Sequence, residues 1–148
     1  MNKTINLYTI GFTKKTAQQF FETLVNNGVK RVIDIRLNNV SQLAGFAKRT
    51  DLEYFLQTIS EIKYDHILDL APTKNILNDY KKKQVNWKTY EQKFLHLISD
   101  RQIEKKVSRE HLESSCLLCS EAKPHHCHRR LVAEYLSDKL GNINILHL

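Results

Sequence analysis

The sequence predicts one three-layer α/β domain over residues 1–148, a mostly parallel central sheet flanked by helices. Three observations carry this. Short β-rich runs alternate with segments of helical apolar spacing, the pattern of strand–helix–strand units. The spacing between strands leaves room for crossover helices, which parallel pairing requires. At 148 residues, with 41% hydrophobic and 26% charged content, the chain is long enough for one real core and too apolar for disorder. No repeat or linker interrupts it.

The elements follow in order. Asn6–Ile10 reads as a first strand, rich in β formers and stopped by Gly11. Thr16 and Gln19 form a capping box that opens a helix. Phe20, Phe21, Leu24 and Val25 are its apolar stripe, and Asn27-Gly28 ends it in a left-handed cap. Val29–Ile35 is a second strand, followed by a loop through Phe46. Thr50 and Glu53 read as another capping box, with Leu52, Phe55, Leu56 and Ile59 as the stripe of a second helix. Lys63–Leu68 is a third strand. Pro72 precedes a helical stretch over Lys74–Lys83. Trp87, Tyr90, Phe94, Leu97 and Ile98 trace a longer amphipathic helix. Ser115–Cys119 is a short apolar strand. A helix runs from about Cys127 to Leu140, stopped by Gly141, and Ile143–Leu148 is a terminal strand.

Composition narrows the functional classes. No apolar stretch approaches the roughly 20 residues that span a bilayer, and the N-terminus lacks a secretory pattern. A cytoplasmic protein with no membrane partner is the expectation. Three cysteines in a reducing compartment favour free thiols over a disulfide framework. Lys and Arg total 23 against 16 Asp and Glu, a formal charge of +7. That charge favours an anionic partner, a nucleotide or nucleic acid, although a solvated lysine-rich surface gives the same number.

In a parallel sheet, ligands bind beyond the carboxyl ends of the strands. The unusual residues of this chain fall there. Gly11 follows the first strand, Asp34 and Arg36 flank the end of the second, and Cys119 to Arg130 follow the fourth. Cys116 and Cys119 match C-x-x-C, but three positions along a strand set them on opposite faces roughly 10 Å apart. Cys116 therefore reads as core filler. Cys119 ends its strand before a polar loop. Cys127 opens a helix whose first turn carries His128, Arg129 and Arg130, a setting that favours thiolate and suits an anion.

Several readings of this cluster stand open. As an anion pocket, Gly11, Arg36, Arg129 and Arg130 would bind ligand. Cys119 or Cys127 would be the nucleophile, and Glu121, His128 or Asp34 the acid–base groups. As a metal site, Cys119, Cys127 and one or more of His125, His126 and His128 would be ligands, and a metal-binding or redox protein is the function class that follows. The C-x7-C-H spacing is not a standard zinc pattern, so no metal site is assigned. As a structural cluster, Glu121 would pair with Arg129 inside the fold. Asp34 and Arg36 share a strand face and can form an internal ion pair or hold a ligand. Trp87 and Tyr90 fit a core stripe better than a base-stacking platform. An enzyme and a non-catalytic nucleic-acid-binding or regulatory module both remain compatible with the sequence. It specifies no cofactor and no oligomeric state.

Leu117-Leu118-Cys119-Ser120-Glu121 followed by Cys127-His128-Arg129-Arg130, with Tyr8-Thr9-Ile10-Gly11 and Val32-Ile33-Asp34-Ile35-Arg36 upstream, resembles the family called domain of unknown function 488. The resemblance spans nearly the whole chain in the right order. It implies a compact α/β fold and supplies no activity. Many relatives carry a Leu-Gly-Gly segment after the third strand, where this chain has Leu70-Ala71-Pro72-Thr73-Lys74.

Overall fold

A computed structural model describes residues 3–39, 45–121 and 123–148. The strands are β1 (Ile5–Gly11), β2 (Arg31–Asp34), β3 (Lys63–His66), β4 (Ser115–Cys119) and β5 (Ile143–His147). The helices are α1 (Ala17–Asn26), α2 (Arg49–Ser60), α3 (Lys74–Lys81), α4 (Trp87–Asp100), α5 (Arg109–Leu112) and α6 (His128–Leu140). The strands form one sheet in the order β3-β2-β4-β1-β5, and every neighbouring pair is parallel.

Strand composition follows position in the sheet. β4 lies at the centre and all five of its residues are buried. A strand covered on both faces reads as a continuous apolar run rather than an alternating one. The edge strand β3 instead carries Lys63, Tyr64, Asp65 and His66, of which none is fully buried, in keeping with the polar residues that protect sheet edges.

Helices cover both faces. Tyr8, Ile10, Phe12, Val32, Cys116 and Leu118 pack against Phe20, Phe21 and Leu24 of α1 and Leu52 and Leu56 of α2. On the opposite face, Leu7, Ile33, Ile35, Leu117 and Cys119 pack against Phe94 and Ile98 of α4 and Leu131, Val132 and Leu136 of α6. The alternation of Cys116 and Cys119 between the two cores is the strand period of two. Burial of each large aliphatic side chain contributes about 1.5–3 kcal/mol.

The first capping box forms as the sequence predicts. Thr16 Oγ1 accepts from Gln19 N at 3.1 Å, and Gln19 Oε1 accepts from Thr16 N at 2.9 Å. Gly28 follows with φ of +70°. The second box does not form. α2 begins at Arg49 with Lys48 as its cap, and no side chain caps it. Arg49 N donates to Asn39 O at 2.8 Å, which draws the chain into the helix early and leaves Thr50 inside the first turn. β2 is shorter than the run Val29–Ile35 because Val29 N bonds back to Leu24 O at the end of α1. The loop expected between β2 and Phe46 lies, over residues 40–44, outside the described residues.

From β1 the chain crosses by α1 to β2, two positions to one side. From β4 it crosses by α6 to β5, two positions to the other side and over the opposite face. The connections that follow the neighbouring strands β1 and β4 therefore leave on opposite faces, and the region outside the carboxyl ends of these strands, where doubly wound sheets have their ligand crevice, is the topological switch point. No helix among the described residues is long and apolar enough to cross a membrane.

Candidate functional site

The parallel register gathers the candidate residues at one end of the sheet. Gly11 pairs with Cys119, and Asp34 pairs with Leu118. Ile35 N donates to Leu118 O at 3.1 Å, so Asp34 and Cys119 end adjacent strands on the same side.

Asp34 and Arg36 form a closed, buried network. Arg36 Nε and Nη2 donate to Asp34 Oδ1 and Oδ2, each at 2.8 Å, and Arg36 N donates to Oδ1 at 3.1 Å. Tyr64 of β3 donates its hydroxyl to Asp34 Oδ2 at 2.5 Å and accepts from Asn39 Nδ2 at 3.1 Å. Burial, then the Asp34 carboxylate, push the Tyr64 hydroxyl well above the usual tyrosine range, so it remains a donor. His66 Nε2 bonds to Arg36 O at 2.8 Å, and the guanidinium carbon sits 5.3 Å from the Phe12 ring centroid. Arg36 is 3% exposed and Asp34 is fully buried. In this arrangement Arg36 faces Asp34 and not the crevice.

The second cluster lies at the switch point. The loop from Ser120 turns back through a Cys127 N–Pro124 O bond of 3.2 Å and sets Cys127, the N-cap of α6, over the end of β4. The Sγ atoms of Cys119 and Cys127 are in bonding contact, with Cα atoms 7.7 Å apart. Free thiols at all three cysteines, the expectation from compartment, therefore describe only Cys116. Burial pushes the Cys116 thiol far above the usual range.

Arg129 is fully buried and reaches under the loop. Its Nη1 donates to Glu121 O at 2.5 Å and lies 3.6 Å from Cys119 Sγ. The Glu121–Arg129 pairing considered from sequence is thus made through the main-chain oxygen, while Glu121 itself is exposed. Gly11 makes this approach possible. A Cβ on Gly11 would overlap both Glu121 O and Arg129 Nη1. Thr13, just after β1, donates to Ser120 O from its amide at 3.1 Å and also from its hydroxyl. Burial lowers the Arg129 guanidinium to about 10, still protonated near neutrality.

His128 joins the two clusters. Its Nε2 lies 2.7 Å from Ile35 O, and because a carbonyl only accepts, Nε2 carries the proton. The ring meets Phe94 edge-on at 5.5 Å. Burial lowers its pKa to about 4, the Ile35 carbonyl opposing and the Arg129 charge adding to the effect. His128 is neutral at pH 7. Arg130 points away, to Glu91 at 3.2 Å and Glu134 at 3.5 Å.

Sequence reading did not single out Lys15 or Tyr64, and it weighed His125 and His126 as metal ligands and not as a stack on Trp87. Lys15 is partly buried in the loop after β1, and burial followed by the Arg129 charge lowers its pKa. No ion pair among the described residues involves it. Its place between Thr13 and the helix cap Thr16 was the available signal. Trp87 has one foot in the core, with Tyr90, and stacks on the exposed His126 at 4.9 Å; His126 stacks on His125 at 4.5 Å. No group of three or more His, Cys, Asp and Glu side chains gathers as a metal site among the described residues.

A family model described as a domain of unknown function, DUF488, matches residues 16–136. No curated protein and no solved structure matches the chain.

Proposed function

Because the chain belongs to the DUF488 family, whose description assigns no activity, we propose its function from the site: it binds a phosphate-bearing small molecule, a nucleotide, in the crevice between β1 and β4. The observation that carries this is the placement of two cations, Lys15 and Arg129, by the loop that follows β1. Lys15 is held partly buried within the field of Arg129, and no acid pairs with Lys15 among the described residues. Bringing like charges together in a poorly solvated place costs free energy that a bound anion returns. The thirteen-residue helix α6 starts at the same place and adds the positive end of its dipole.

The candidate residues divide by role. Lys15 and the start of α6 meet the ligand. Gly11, Arg129 and Thr13 shape the loop that frames it. Arg36 supports the wall through Asp34, and Arg130 acts from outside through Glu91. If chemistry follows binding, Glu121 is the acid–base candidate exposed at the rim, whereas Asp34 and His128 are engaged with Arg36, Tyr64 and Ile35. Cys119 and Cys127 supply the sulfur.

A thermal-shift series with inorganic phosphate, pyrophosphate and nucleoside mono-, di- and triphosphates tests this reading. A ligand at a hundred times its Kd stabilises by about 2.7 kcal/mol. We expect a concentration-dependent rise that Lys15→Met removes, while the unliganded melting point of that variant stays level or rises because the like-charge cost is gone. No rise with any phosphate, or an equal rise in Lys15→Met, would defeat the reading.

A second reading, a nucleic-acid-binding module, draws on the charge of +7 and on the exposed His126 ring, which stacks on Trp87 on one side and on His125 on the other. Rings of this kind serve as base-stacking platforms. Binding of a single-stranded oligonucleotide that weakens steeply with salt and is lost in His126→Ala supports it.

A further inference from the structure

We propose that Cys119 and Cys127 are a redox-active thiol pair that reduces hydrogen peroxide and cycles between dithiol and disulfide. Three features of the geometry support this. The two sulfurs meet although one belongs to a strand and the other to a helix cap, so neither needs a large rearrangement to find the other. The Arg129 guanidinium lies 3.6 Å from Cys119 Sγ, where a fixed cation favours thiolate. Cys127 occupies the N-cap of a thirteen-residue helix, where the dipole favours a second anionic sulfur.

Burial selects the oxidant. Cys119 is 1% and Cys127 3% exposed, so an oxidant that reaches them has to be a small molecule and not a protein disulfide. Cys116 cannot take part, since it faces the opposite core.

The chemistry balances without a metal or an organic cofactor. The Cys119 thiolate attacks one peroxide oxygen, the O–O bond breaks, and hydroxide leaves and takes a proton to become water. Cys119 is now a sulfenic acid. The Cys127 thiolate attacks its sulfur, the S–O bond breaks, and a second hydroxide leaves as water. Two thiols have given two electrons, and one peroxide has become two waters. Two equivalents of a small thiol reset the pair by exchange and are released as their own disulfide.

The test uses the full chain, reduced with dithiothreitol and freed of it. One equivalent of hydrogen peroxide is added, and thiols are counted after denaturation, with intact mass and peptide mapping. We expect two thiols to disappear, a mass loss of about 2 Da, a Cys119–Cys127 linked peptide and recovery with dithiothreitol. The rate should exceed that of free cysteine at the same pH by at least about tenfold. Cys127→Ser should stop at a sulfenic acid on Cys119 that dimedone traps, Cys119→Ser should consume no peroxide at this rate, and Cys116→Ala should behave as the parent chain. Arg129→Lys, which keeps a cation, should retain more of the rate than Arg129→Met. Oxidation no faster than free cysteine, or an unchanged rate in folded Cys119→Ser, overturns the proposal. Should either serine variant fail to fold, the thiol count and peroxide rate of the parent chain decide by themselves. Phosphate binding by reduced parent protein is a separate readout, so loss of either activity leaves the other measurable.

Discussion

Arg36 lays its guanidinium along the carboxylate of Asp34, two residues earlier in the chain, with Nε–Oδ1 and Nη2–Oδ2 separations of 2.8 Å each. Both partners are withdrawn from water, and Tyr64 adds a third side-chain donor from the next strand. A pair of this kind contributes little over an apolar replacement but is costly to break, because the survivor is a buried charge without compensation. Asp34→Ala and Arg36→Ala should each cost about 3–5 kcal/mol, and the double variant less than their sum. Tyr64→Phe should cost only about 1 kcal/mol, as Arg36 still satisfies the carboxylate. Urea denaturation of the four variants gives these differences directly. A double variant as costly as the sum of the singles would contradict the pairing.

His128 gives stability a pH dependence whose direction follows from its environment. Its folded pKa is depressed to about 4 from an ordinary 6.5. Between those values the unfolded chain holds the proton and the folded chain does not, so stability rises with pH across that window. The contribution is complete above about pH 6.5 and is lost as pH falls toward 4, up to roughly 3 kcal/mol in all. Chemical denaturation at a series of pH values from 4 to 7.5 should show this slope, and His128→Gln should flatten it. A slope unchanged in His128→Gln would assign it to other groups.

Gly11 and Gly28 separate two reasons for glycine. At Gly11 an added methyl meets a backbone carbonyl and a buried guanidinium. At Gly28 the space is open, but φ is +70°. Gly28→Ala should therefore cost about 1 kcal/mol, the penalty of a left-handed residue. Gly11→Ala should cost more than about 3 kcal/mol, since backbone has to move. The two melting temperatures, measured side by side, check the ranking; equal losses would mean that the loop yields easily.

The fold was legible because the signals were local. The Thr16–Gln19 box, the Phe20–Leu24 stripe and the mostly apolar Ser115–Cys119 run each specify their element without help from distant residues. Thr50 misled because the loop before it, through the Asn39–Arg49 bond, sets where α2 begins. The gathering of the candidate residues at one end of the sheet was legible for a topological reason: parallel strands send all their following loops to one end. The pairings were not. Nothing adjacent to Cys119 in sequence says that the chain returns eight residues later with a second sulfur against it. Tyr64 and Lys15 look ordinary until β3 is set beside β2 and the first loop beside α6. The strand order is equally non-local, since β4 inserts between β1 and β2 only after more than half the chain has been laid down.

Arg129 decides between support and binding. Its side chain is fully buried, donates to Glu121 O and lies against Cys119. Arg129→Ala removes a large buried side chain and leaves that carbonyl without this donor, so it should cost about 2–5 kcal/mol. Arg129→Met keeps the apolar volume and should restore part of the loss, leaving about 1–3 kcal/mol for the missing hydrogen bond. The Gly11→Ala, Arg129→Ala double variant gives an independent check. One of the two groups that the new methyl would strike is then gone, so the double loss should fall short of the sum by a measurable coupling of about 0.5 kcal/mol or more. Glu121 O still blocks full relief. Urea unfolding of all four chains, with phosphate binding on those that fold, reads out both roles. If Arg129→Ala unfolds at the parent concentration of urea and loses only phosphate binding, Arg129 faces the ligand, and its place as the buried prop of the Ser120–Cys127 loop is wrong.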